Sequence, residues 1–279
     1  MFKAHLENLM TFPGIEEPAL CMPDKCFCEI IHEGTIKQPM NTYSSLVFIL
    51  FAIFILIKFI KRKDTTFDYP LYASISYPII YFLSLILIGL GSMYYHSALN
   101  FWGQFADVSG MNLLASFILI YHLKRKKIIS NFTLSFVLIN LVLAYFLFAY
   151  PFLRRYLFGI VLFLSLIPLY IPSLKAKFIF KLKYREPSLP QGFLLNNQDR
   201  DIETATLSSS NTNYKFFWIA LSTQIIAFIF WTLDITKIVC DENSFLQGHS
   251  IWHILSGVAS YYLYLFYESE KINLNNYTL

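Results

Sequence analysis

The chain is predicted to fold as an all-α, seven-transmembrane helix bundle with its N-terminus lumenal or extracellular and its C-terminus cytosolic. Composition is the first reason: only 14% of the 279 residues are charged and 56% are hydrophobic, whereas a soluble domain carries about 25% charged residues. Mean hydropathy is correspondingly high, at +0.50. Second, the apolar residues are gathered in seven blocks, near 43–60, 77–97, 102–122, 131–149, 156–172, 215–234 and 249–267. Each approaches the roughly 20 residues needed to cross about 30 Å of hydrocarbon. The distribution of Lys and Arg supplies the orientation.

Taken in order, residues 1–42 are polar, carry Pro13, Pro18 and Pro23, and lack a basic-then-apolar opening. No cleavable signal peptide is therefore expected, and the first span serves as the targeting signal behind a lumenal N-terminal segment. Blocks such as SLVFILFAIFILIKFI and SFVLINLVLAYFLFAY read as plain spans, whereas the second, third, sixth and seventh also hold His, Asp, Asn or Gln. Polar groups at membrane depth are expensive and usually face the bundle interior. The seven spans make residues 43–267 a single membrane domain. Its long connection, 173–213, is rich in Ser, Asn and Asp and reads as a mobile cytosolic loop; residues 268–279 form a cytosolic tail. No internal repeat is evident.

Basic residues favour the cytoplasmic face. With the N-terminus outside, sixteen of the 22 Lys and Arg fall on cytosolic connections, in the runs Lys58 to Lys63, Lys124 to Lys127 and Lys175 to Lys215 and at Lys271; six fall on the other side. The net charge of +4 is thus a topology signal, and with no basic segment interleaved with aromatics no nucleic-acid partner is expected. All four cysteines, Cys21, Cys26, Cys28 and Cys240, lie on the outer side, where an oxidising compartment lets them pair. A Cys28 to Cys240 bridge is preferred because it ties the N-terminal segment to the last outer loop, leaving Cys21 and Cys26 for each other. A thiolate metal site is the competing reading, although CFC lacks the Cys-x-x-Cys spacing common in zinc sites.

This topology places five polar residues at one depth: Ser92 and His96 at the outward end of span two, Asp107 in the first turns of span three, and His249 and His253 opening span seven. Residues four apart share a helix face, so His249 and His253 can offer two nitrogens to one ion and His96 a third. Three imidazoles with an open fourth position describe a catalytic zinc site. A Ser–His–Asp triad is the other arrangement these residue types suggest, but an imidazole that ligates a metal cannot shuttle the Ser92 proton. Asp107 is therefore read as the base for a water and Ser92 as a hydrogen-bond donor to the developing oxyanion. His5, His32 and His122 are read as surface residues.

These residues resemble the alkaline ceramidase family, part of a wider group of seven-span hydrolases that includes adiponectin receptors and GPI-anchor lipid-remodelling proteins. The likeness rests on Cys28, Glu29, Asn41, Thr42, Ser44 and Ser45 in CE…NTYSSL, on Ser92, His96 and Asp107 in GSMYYH…D, and on Trp231, Asp234, Cys240, His249, Trp252 and His253 in WTLD…C…LQGHSIWH. It implies a zinc-dependent intramembrane amidase that cleaves ceramide, phytoceramide or dihydroceramide into sphingoid base and fatty acid. His96, His249 and His253 would hold the zinc, Cys28 and Cys240 would form a disulfide, and the membrane would be that of the endoplasmic reticulum or Golgi. Animal members also carry a calcium site before the first span. Here Glu29 alone stays in register, with Asp24 and Glu33 nearby and Gln38 where a Glu is expected, so a calcium site on Glu29, Asp24 and Glu33 is left open, calcium favouring six to eight oxygen ligands. Two further readings compete with ceramide hydrolysis: a sister hydrolase acting on another acyl lipid such as a GPI anchor, and a seven-span receptor or transporter braced by structural zinc.

Overall fold

The computed structural model describes residues 13–22, 27–62, 69–179 and 212–270. Among these residues the structure is helical without strands. A short helix α1 (Pro39–Ser44) leads into α2 (Leu46–Lys61), followed by α3 (Ser76–Ala98), α4 (Phe101–Arg125), α5 (Phe132–Ala149), α6 (Arg154–Ile179), α7 (Tyr214–Ile235) and α8 (Gly248–Ser269). Local chemistry explains the starts. Pro39 opens α1, where its missing N–H is harmless. Asn100, Asn131 and Asn213 cap α4, α5 and α7 with their side-chain oxygens, the first accepting from the Gly103 N–H at 2.7 Å.

Among the described residues, five helices are long and apolar enough to cross a membrane: Pro39–Lys61 (α1 with α2), Ser76–Ala98, Phe101–Arg125, Phe132–Ala149 and Tyr214–Ile235. The remaining two expected spans fall on α6 and α8. Helix α8 has the length, 22 residues, but its buried face carries His249, Ser250, His253, Ser256 and Ser260, which lowers its hydropathy. In α6 the described apolar run is the shorter Tyr156–Ile167. That helix continues to Ile179, so residues 173–179, read from sequence as the start of the loop, are helical; Leu174, Lys175, Ala176 and Lys177 are good helix formers. Residues 180–211 of that loop lie outside the described residues.

Burial separates a central pair from a periphery. Half of the most apolar window of α3 and 56% of that of α4 is buried, against 22% in α2 and in α5 and 17% in α7. Leu50, Ile53, Phe54, Leu138, Leu141 and Val142 are exposed on the outer helices, an apolar belt suited to lipid rather than water. Helices α3 and α4 are joined by a two-residue turn. Leu99 adopts a left-handed conformation, φ 49°, that lets the chain reverse at once. The two helices then run so close that a Cβ on Gly91 would stand 2.7 Å from the Ala106 carbonyl oxygen. This approach sets the end of α3, with His96, beside the start of α4, with Asp107.

The far end of the bundle holds the main aromatic core, including Tyr81, Phe117, Tyr121, Phe132, Tyr264 and Tyr267. At the end that carries His96, the N-terminal segment forms the lid of a second cluster of Ala19, Cys21, Phe27, Tyr95 and Leu99. It is tied down by backbone bonds, Ala19 N–H to Leu99 O at 3.0 Å and Phe101 N–H to Glu17 O at 2.7 Å.

Candidate metal centre

His96, His249 and His253 are buried, 0%, 4% and 3% exposed, and one ring nitrogen from each lies within 4.8 Å of the other two. They form the only group of three potential ligands of this kind among the described residues. The i, i+4 spacing on α8 stacks two of the rings on one face, and the tight α3–α4 turn delivers the third. His96 Nε2 stands 3.1 Å from His249 Nε2.

Hydrogen bonds on the opposite ring edges assign two of the tautomers. Gln38 Oε1 lies 3.0 Å from His96 Nδ1; an amide oxygen only accepts, so Nδ1 donates and the Nε2 lone pair turns inward. Ser44 donates its single proton to Asn41 O, at 3.1 Å, and its oxygen, 2.8 Å from His253 Nδ1, is left to accept. His253 Nε2 is then also a lone pair, with the Ser92 hydroxyl 3.3 Å away. Ser45 donates to Asn41 O at 2.8 Å, approaches His253 Nδ1 at 3.3 Å and reaches Ser92 Oγ at 3.0 Å. Such partners behind a ligating imidazole orient the ring and fix which nitrogen faces a metal. Two neutral imidazoles aimed at a third, all buried, are a donor set that fits a divalent transition metal.

His249 is positioned differently. Its ring stacks on Phe27 with centroids 3.6 Å apart, and its backbone N–H donates to Asp234 Oδ2 at 3.0 Å. The other oxygen, Asp234 Oδ1, accepts the Cys28 N–H at 3.0 Å. One fully buried carboxylate thus clamps the first turn of α8 to the N-terminal segment, at a helix end where negative charge is favoured. Gly248 makes the contact close: a Cβ there would lie 2.9 Å from Asp234 Cβ. Beside this clamp Cys28 and Cys240 are joined in a disulfide.

Ser92 lies one turn before His96 and is 1% exposed; Asp107, on α4, lines the same cavity. Asp107 is half-buried. Ser92, Asp107, His249 and His253 all line one cavity of about 510 Å³, whose remaining wall is mostly apolar, with Phe48, Ile88, Leu114, Phe217 and Phe228 among its members. The volume is in the range of small-molecule sites.

Ser92, His96, Asp107, His249 and His253, singled out from sequence, therefore lie together. Glu29 is buried, and its two oxygens accept the Met40 and Asn41 N–H groups at 2.6 and 2.9 Å, so that it caps α1. Burial raises its carboxyl pKa, opposed by the Asn41 and Met40 hydrogen bonds. Glu33 is exposed, and Asp24 lies outside the described residues, as does Cys26, the expected partner of Cys21. His122 departs from its surface reading: it is buried, and its Nε2 sits 3.0 Å from the Tyr267 hydroxyl, because α8 extends far enough to cover it. His32 is exposed; His5 lies outside the described residues. Gln38, Ser44, Ser45 and Asp234 had no role assigned from sequence, although the last three stood within the NTYSSL and WTLD segments.

Residues 26–278 match the family model described as Ceramidase. Among curated relatives, "Putative alkaline ceramidase dcd3B" of Dictyostelium discoideum is 24% identical over 289 residues, covering 98% of this chain and 93% of that protein.

Proposed function

The chain belongs to the ceramidase family, hydrolases of the ceramide amide bond, and we propose that it is a zinc-dependent intramembrane amidase releasing sphingoid base and free fatty acid. The observation that carries this reading is the convergence of three imidazoles with Ser92 and Asp107 beside a largely apolar cavity. His96, His249 and His253 would be the ligands. Three imidazoles suit zinc, which when bound acts as a Lewis acid toward a carbonyl oxygen and lowers the pKa of water.

The chain's own residues supply the rest. Asp107 accepts the proton of the attacking water and returns it to the amide nitrogen as the C–N bond breaks. Ser92 donates a hydrogen bond to the carbonyl oxygen as it gains charge. The apolar wall formed by α2, α4, α7 and α8 receives acyl and sphingoid chains and keeps bulk water from the amide. Ceramide, phytoceramide and dihydroceramide share the reacting group and are all candidate substrates.

Seven spans, a lumenal N-terminal segment and an endoplasmic reticulum or Golgi membrane belong to the same proposal. Its support is the Lys and Arg distribution together with a disulfide at the end of the bundle that carries His96. The test is fatty-acid release from a panel of ceramides by detergent-purified protein. Turnover of at least one ceramide is expected; inactivity on all of them, with zinc bound, would overturn the proposal.

A further inference from the structure

Arg154, at the start of α6, is the only Lys or Arg lining the cavity among the described residues, and it is 2% exposed. Its Nε donates to Leu147 O at 3.1 Å, and its Nη1 to Gln104 Oε1 at 2.8 Å and Phe101 O at 3.4 Å. The guanidinium lies over the Phe101 ring, 4.2 Å from its centroid. Nη2 has no hydrogen-bond partner. Every partner is neutral, and neither ion pair among the described residues includes Arg154.

A buried cation without an anion, and with one nitrogen unsatisfied, is an expensive arrangement that sequence-distant packing does not require. A guanidinium stays charged at neutral pH. Its location ties it to the reacting centre: Gln104, its closest partner, is three residues before Asp107 on α4, and residues at that spacing are neighbours on a helix surface. Both line the cavity.

We propose that Arg154 binds the oxyanion of a single-chain lipid, a carboxylate or a phosphate monoester, in the cavity about one turn of α4 from Asp107. The two share the chemistry a guanidinium recognises, planar or tetrahedral oxygens accepting charge-assisted hydrogen bonds. A carboxylate is what amide hydrolysis leaves on the acyl chain; a phosphate would arrive on a headgroup. The choice of a lipid rests on the lipid-hydrolase reading, but the test needs no turnover, so failure of one is distinguishable from failure of the other.

The test uses full-length, detergent-purified protein with its metal as isolated. Binding of palmitate, hexadecyl phosphate and hexadecanol, which carry the same chain, is followed by fluorescence of Trp231 and Trp252 in the cavity wall. At least one oxyanion is expected to bind about 10-fold or more tighter than the alcohol, and the tighter one identifies the source. In Arg154→Gln that advantage disappears while alcohol binding is unchanged. Equal binding of all three probes by the wild type would overturn the proposal. So would an advantage that survives in Arg154→Gln, because the oxyanion would then be held by the metal or another group. If Arg154→Gln does not fold, Arg154→Lys keeps the charge without the planar fork; a fall of about threefold or more in the advantage is expected, and an unchanged advantage would contradict the proposal.

Discussion

Gln38 Oε1 sits 3.0 Å from Nδ1 of His96, and through its Nε2, which donates to Glu29 O at 3.0 Å, the same side chain reaches the residue that caps α1. A chain of hydrogen bonds thus runs from the N-terminal segment to a candidate metal ligand. Removing the acceptor in Gln38→Ala should weaken metal binding by about 10- to 100-fold, whereas Gln38→Glu, which keeps an acceptor, should retain most of it. Competition titration with a zinc chelator measures both. Equal metal affinity in Gln38→Ala and wild type would mean that His96 needs no such partner.

Ser92 and Asp107 are assigned to chemistry rather than to metal binding. Ser92→Ala should lower kcat by about 10²- to 10³-fold, and Asp107→Asn by about 10²- to 10⁴-fold, with the zinc content of both preparations unchanged. Elemental analysis beside turnover separates this from loss of the ion. Stoichiometric zinc loss in Asp107→Asn would make Asp107 a fourth ligand and favour a closed, structural site.

Asp234 satisfies two buried backbone N–H groups, those of Cys28 and His249. Asp234→Ala leaves both without their acceptor and should cost about 1–3 kcal/mol for each donor, read as a lowered melting temperature in detergent. Loss of metal should follow, since the first turn of α8 presents His249. Reduction of the Cys28–Cys240 disulfide releases the same segment from the other side and should lower the melting temperature in the same direction.

Gly91 permits the close approach of α3 and α4. In Gly91→Ala the added methyl meets the Ala106 carbonyl at 2.7 Å and Asp107 N at 2.9 Å, contacts made by backbone atoms that cannot swing away. The expected result is a stability loss of about 1–3 kcal/mol and a larger fall in kcat than in zinc content, because Asp107 is displaced from Ser92. Unchanged melting and activity would show that the helices separate freely.

The residues legible in the sequence are those whose relations follow helix periodicity and span order. His249 and His253 share a face by their four-residue spacing, and the short turn after His96 brings Asp107 to the same depth. Gln38 and Asp234 obey no period: one partner of each, His96 and Cys28, lies 58 and 206 residues away, and only the folded N-terminal segment brings them together. Helix α8 shows how function and span signals oppose each other. Read from sequence as the seventh span, it has the length, 22 residues, but its buried polar residues depress its hydropathy and it is not among the five helices apolar enough to cross a membrane. His122 was misread for a related reason, since a position near the edge of a span says nothing of whether a neighbouring helix covers it.

The most direct measurement is fatty-acid release from ceramide by wild-type protein and His253→Ala, with bound zinc determined in both samples. Zinc and turnover together in the wild type, and loss of both in His253→Ala, is the result predicted here. Full turnover by a His253→Ala protein lacking zinc would contradict a catalytic metal centre at His96, His249 and His253.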